Sequence, residues 1–396
     1  MTIHEVDTDQ ALQRFLHLTS IPGRSGQESD VATEIIAALK SYGISEDWIA
    51  FDDAHTRTRI QGNCGNLIVS LPGNGKGTRT LISAHMDTVP ICLGSQPVVE
   101  KDLVRSSKPT GLGADDRSGC GVLLTAIAER QKIGEEKCPP AVASFLIQEE
   151  VGLEGARHLD VAKIGRVDRA FNFDGGTVEK LTVGATGGER MSIEITGIPA
   201  HAGVAPQEGV SAITIAAKAI ADLDQNGWLG KVSKPEGEGT SNVGVIEGGE
   251  ATNVVTPLVK LRAEARSHDA AFRSQIVSAL KTAFETAVAS VTNEAGSTGA
   301  MRFDSHVDYE SFKLDSDHPS VQAAEQAVRQ LGREPFQEIS GGGLDANWLY
   351  RHGVEAVTLG CGQRNIHTAD ERLAIADYLA ACQIATGLIT EGASDA

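Results

Sequence analysis

Apolar residues recur every three to four positions across 8–18 and again across 27–42, a period that predicts two amphipathic helices. Ser25 is placed to cap the second and Gly43 to end it. Other stretches are apolar at nearly every position: 66–71, 80–84, 141–148, 169–173 and 354–359. Runs of this kind predict strands buried on both faces. Helical patterns separate them, over 116–131 (with Val122, Leu123, Ala126 and Ile127 on one face) and, more briefly, over 153–159. Strands that alternate with helices predict an α/β fold with a mostly parallel mixed sheet flanked by helices.

The pattern changes at Gly184-Ala185-Thr186-Gly187-Gly188. Beyond it come a strand at 190–196, a helix at 210–225, strands at 242–247 and 258–267, a helix at 270–290 and a strand at 300–307. The order β-α-β-β-α-β is that of a ferredoxin-like α+β domain. Within it 231–241, rich in Gly, Pro, Glu and Ser, reads as a flexible loop. After about residue 309 the first style returns, with a helix at 319–331, a glycine-rich turn, the strand at 354–359 and a helix at 372–388. A chain of 396 residues suits two domains. The expectation is a catalytic domain from 1–183 and 309–396, with 184–308 inserted as a lid.

Charge narrows the partners. Lysine and arginine number 35 against 53 acids, a formal net charge of −18, which argues against nucleic acid or an anionic membrane surface. No apolar run approaches the roughly 20 residues of a membrane span. The first residues lack a basic segment followed by an apolar one, so a cytoplasmic protein is expected. Six scattered cysteines without a Cys-x-x-Cys pair point to reduced thiols, and Cys120 reads as a packing residue.

The candidate chemistry sits at the ends of the buried strands. Glu149-Glu150 closes one such run, and adjacent carboxylates there repel each other unless something cationic lies beside them. His85-Met86-Asp87 closes another, Asp174 follows a third, and His367 lies just beyond a fourth; Asp115-Asp116 opens a helix. In open α/β sheets, ligands bind beyond the carboxyl ends of the strands. Imidazoles and carboxylates together suit zinc, manganese or cobalt, so the pattern is that of a metal-assisted hydrolase.

His85-Met86-Asp87-Thr88-Val89, Gly113-Ala114-Asp115-Asp116-Arg117-Ser118-Gly119, Glu149-Glu150-Val151-Gly152, Asn172-Phe173-Asp174-Gly175-Gly176 and His367-Thr368 resemble the co-catalytic zinc metallopeptidase family of peptidase T, aminoacylase and glutamate carboxypeptidase. Gly341-Gly342-Gly343-Leu344-Asp345-Ala346-Asn347 is most similar to the peptidase T branch. The resemblance implies a zinc exopeptidase core that holds two Zn²⁺, or Mn²⁺ or Co²⁺. In it Asp115 bridges the ions, His85 and Asp174 complete one site, and Glu150 with His367 completes the other. It also implies Glu149 as general base and acid, Asp87 as the residue that orients His85, and a cis Asp115–Asp116 bond. Lid residues His201, Asn253 and Arg266 match positions that touch substrate, His201 from the partner subunit of a lid-mediated homodimer. Gly341 to Gly343 let the backbone approach the substrate pocket, with Gly342 at their centre and Asp345 supporting the loop.

The expected activity is release of the N-terminal residue of short peptides, most of all tripeptides. Related readings are a carboxypeptidase, an amidohydrolase of N-acyl amino acids, or a glutamyl aminopeptidase that assembles tetrahedral particles. The last is disfavoured, because only 30 positions separate His85 from Asp115 and the insert follows Asp174. A catalytically silent binding module is disfavoured by the intact Glu149.

Overall fold

A computed structural model describes residues 4–392. The chain divides into two compact units. One comprises the chain up to Gly184, Lys313–Ser340 and the chain from Leu344 onward; the other comprises Ala185–Phe312 with Gly341–Gly343.

The first unit is built on a nine-stranded mixed sheet. At its middle four strands run parallel, in the order Ala141–Leu146, Thr80–His85, Arg169–Phe173 and Ala356–Leu359. Toward the edges pairing turns antiparallel, to Leu67–Leu71 on one side and Lys180–Ala185 on the other. The parallel part is therefore the centre of the sheet. Apart from Arg169 its strand residues are buried, which is why they read as mostly apolar runs. Because the four share one direction, their carboxyl ends emerge along one rim, with His85 opposite Leu146 and Phe173 opposite Leu359.

Helix Ala114–Ile133 is buried along residues 114–130 and packs between helices Thr8–Thr19 and Ile375–Thr390. Gly119 permits its close approach to the sheet. A Cβ there would stand 2.1 Å from the Phe173 carbonyl oxygen and 2.5 Å from the Asp116 carboxylate.

The second unit is a five-stranded antiparallel sheet ordered Gly230–Lys234, Gly237–Gly248, Leu258–Ser267, Gly187–Thr196, Ala300–Tyr309. Helices Ala212–Gln225 and Ala270–Ser290 pack on its apolar side, around Ile193, Ile195, Leu261, Ile215, Phe272 and Phe284. Without its first strand the order is ferredoxin-like.

Several local expectations are corrected. The segment 231–241 is ordered as a hairpin, with Lys234 opposite Gly237 and Ser241 opposite Gly230. The neighbouring strand satisfies its backbone groups, which loop-like composition does not reveal. Ser25 caps no helix: the second helix spans Ser29–Ser41, and the Ser25 hydroxyl donates to Asp87 at 2.6 Å instead. Arg372–Ala374 is a short strand in a separate four-stranded sheet, and the last helix is Ile375–Thr390.

Candidate metal centre

His85, Asp115, Glu150, Asp174 and His367 lie in the first unit, and its rim brings them together. His85 is the last residue of its strand, and Asp174 follows Phe173. Beyond Leu146 the chain turns through Gln148, at φ 52°, before it presents Glu149 and Glu150. His367 sits in the left-handed region at φ 62°, in the loop between Gln363–Arg364 and Arg372–Ala374. The Asp115–Asp116 peptide is cis.

Asp115 spans the two imidazoles. One carboxylate oxygen is 3.1 Å from His85 Nε2, the other 3.2 Å from His367 Nε2. Glu150 reaches His367 Nε2 at 3.0 Å. Two donors on one tetrahedral zinc, each about 2.0–2.2 Å from it, stand about 3.3–3.5 Å apart. The spacing here is slightly tighter, so a small outward relaxation admits an ion. His85, Asp115 and Glu150 form one close donor triad; His85, Asp116 and Asp174 form another. Asp116 is already occupied: it accepts from the backbone N–H groups of His85 (3.1 Å) and Gly119 (2.9 Å) and from Gln363 Nε2 (2.9 Å).

Asp87 is fully buried and organises two elements at once. His85 Nδ1 faces its carbonyl oxygen at 3.1 Å and its carboxylate at 3.4 Å. Donation from Nδ1 to either leaves the Nε2 lone pair free for a cation. The same carboxylate accepts the backbone N–H groups of Glu149 (2.9 Å) and Glu150 (3.3 Å). The two glutamates are held in place through their backbone.

The electrostatics are those of carboxylates crowded away from water. Burial pushes Glu149 well above the usual carboxylate range, with Asp174, Asp345 and Glu150 adding to it. Burial raises Glu150 to about 7, against the opposing bond from His367. Burial and the Asp115 charge raise Asp174 to about 6. Bonds to Asp115 and Glu150 raise His367 to about 10. Burial opposes protonation of His85, yet its bonds to Asp115 and Asp87 carry it well above its ordinary value. Asp115 moves down despite burial, because His367 and His85 both bond to it. Such a site draws in positive charge, and its oxygen and imidazole donors fit divalent zinc, manganese or cobalt.

Asp345 departs from the sequence reading. It is completely buried and neither carboxylate oxygen meets a hydrogen-bond partner among the described residues, so it does not support its loop by a side-chain bond. Burial and the charges of Asp174, Asp87 and Glu150 raise it to about 8, with His85 opposing.

The four remaining candidates belong to the second unit. His201 pairs with Val254, and the N–H of Ala202 donates to the Asn253 carbonyl at 2.9 Å, so His201 and Asn253 share one loop pair. The Arg266 guanidinium grips Glu264 through two 3.1 Å bonds and reaches the Gly341 carbonyl at 3.5 Å, next to Gly342. Gly343 is required by packing, since a Cβ there would stand 2.5 Å from the Tyr309 ring.

Sequence reasoning passed over Gln363, which donates to Asp116 and, at 3.3 Å, to Asp174. It also passed over Glu371, which holds the backbone N–H groups of Gly113 and Asp115. The available signal for Glu371 was an acid four residues after His367, in a loop already marked as functional.

Residues 81–391 match the sequence model of peptidase family M20/M25/M40. A protein of Bacillus subtilis (strain 168), the uncharacterised YqjE, is 33% identical over 98% of this chain and 100% of its own length. The crystal structure of aminopeptidase PepT from Bacillus cereus ATCC 10987 superposes with a TM-score of 0.84 at 31% identity, covering 98% of this chain and 100% of that one. A tripeptidase from Staphylococcus aureus subsp. aureus mu50 gives 0.86 at 30% identity, with 97% and 98% covered.

Proposed function

Since the chain belongs to peptidase family M20/M25/M40, on its peptidase T-like branch, and is a peptide hydrolase, we propose that it is a two-metal aminopeptidase releasing the N-terminal residue of short peptides, tripeptides above all. The observation that carries this reading is the run of contacts from His85 to Asp115, Asp115 to His367 and His367 to Glu150, each of 3.0–3.2 Å, beside a half-buried Glu149.

His85, Asp115 and Asp174 would hold one divalent cation, and Asp115, Glu150 and His367 the second. Bound there, divalent cations would polarise the scissile carbonyl and make the attacking water easier to deprotonate. Glu149 takes the proton from the attacking water and returns it to the leaving amine. Asp87 keeps the His85 ring in the tautomer that leaves Nε2 free, and its carboxylate fixes the backbone from which Glu149 projects. In the second unit, we assign His201 and Asn253 to the peptide backbone and Arg266, next to Gly342, to a peptide carboxylate, which a guanidinium can grip through two bonds. His201 acting from a partner chain makes the active species a homodimer, and the compartment consistent with the sequence is the cytoplasm.

The test is a panel of free, N-acetylated and C-amidated di- and tripeptides with zinc or manganese present. Release of the first residue from free tripeptides, and none from N-acetylated ones, is expected. Preferential cleavage of N-acyl amino acids would replace this reading with an amidohydrolase.

A further inference from the structure

One buried carboxylate joins the loop of Asp115 to the loop of His367. Glu371 is 1% exposed. One oxygen accepts the Asp115 backbone N–H at 3.0 Å; the other accepts the Gly113 N–H at 2.7 Å and the Cys92 thiol at 3.4 Å. Its own N–H donates to the Thr368 carbonyl at 3.3 Å, closing the turn that follows His367. Both oxygens thus accept backbone donors. A glutamine could offer only one acceptor oxygen, and its NH₂ would face an N–H group.

The groups Glu371 grips need an external hold. Asp115 has non-helical dihedrals (φ −83°, ψ 104°) although it opens a helix, and Gly113 before it is left-handed at φ 81°. Their N–H groups have no partner within the helix. On the other side, Asn365 and His367 both have positive φ, at 53° and 62°. Two unusual backbone segments must therefore keep one relative placement if Asp115 is to reach His85 and His367 together, and Glu371 connects them.

We infer that Glu371 is a positioning residue that sets the bridging carboxylate of Asp115 relative to His367, so that both cation sites form in register. The inference rests on the reading of Asp115 as a shared metal ligand. Orientation of a ligand by its surroundings is worth about 10–100-fold in metal affinity.

The experiment is chelator-competition titration of Zn²⁺ into wild-type protein and Glu371→Gln, together with tripeptide kinetics at saturating zinc. The expected result is a folded variant, shown by its melting curve, that binds at least one cation about 10–100-fold more weakly. At saturating zinc, kcat falls while KM stays within about twofold, because the ligands and not the peptide contacts are displaced. A folded Glu371→Gln with wild-type affinity at both sites and wild-type kcat overturns the inference. If that variant does not fold, Glu371→Asp, which keeps the charge but shortens its reach by one methylene, is read the same way. Weakened zinc binding supports the inference and unchanged binding overturns it. Wild-type protein that binds no cation would instead overturn the metal reading on which it rests.

Discussion

Two carboxylates in the first unit have opposite uses. Glu149, which we propose as the proton carrier, has its backbone N–H held by Asp87. Glu149→Gln is expected to lower kcat by about 10²–10⁴ while the cations stay bound. Loss of cation along with activity would make Glu149 a ligand instead. Asp345 is buried without a hydrogen-bond partner among the described residues and raised to about 8 from its ordinary value of 3.8. The folded chain therefore holds this proton more tightly than the unfolded chain. Below about pH 4 both states are protonated, and folding loses stability as pH rises from there to about 8. Thermal melts of metal-free Asp345→Asn should show an advantage over wild type that is larger at pH 8 than at pH 5. An advantage equal at both pH values would contradict this account.

At the scale of elements, the site depends on how closely helix Ala114–Ile133 lies against the sheet. Gly119→Ala would drive a methyl toward the Phe173 carbonyl and the Asp116 carboxylate. We expect it to cost about 1–3 kcal/mol or more by denaturant unfolding; an unchanged midpoint would show that the helix can shift freely. This geometry also explains what could be read beforehand. The parallel strands were legible because burial on both faces leaves a mostly apolar run, and His85, Glu150 and Asp174 because each lies at the end of such a run. Gln363 and Glu371 were not, since each is a single polar residue, one in a two-residue strand and one in a loop, whose role depends on which distant group it meets. The hairpin at 230–248 was hidden by glycine and proline, whose presence says nothing about the strand that pairs with it. Ser25 looked like a helix cap because a hydroxyl ahead of a helix commonly is one; here the buried Asp87 is its partner.

At the scale of the whole molecule, a homodimer is expected to scatter light as twice the 41.6 kDa of one chain. A fully active monomer would remove His201 from catalysis in trans. The central claim is that side chains separated by up to 282 positions, from His85 to His367, meet to hold two divalent cations that hydrolysis requires. Elemental analysis of the folded protein, with tripeptide hydrolysis followed before and after chelation, tests it most directly. The account predicts about two zinc, manganese or cobalt ions per chain, with activity lost on their removal and restored on their return. A protein free of such ions that hydrolyses tripeptides undisturbed by chelator would contradict it.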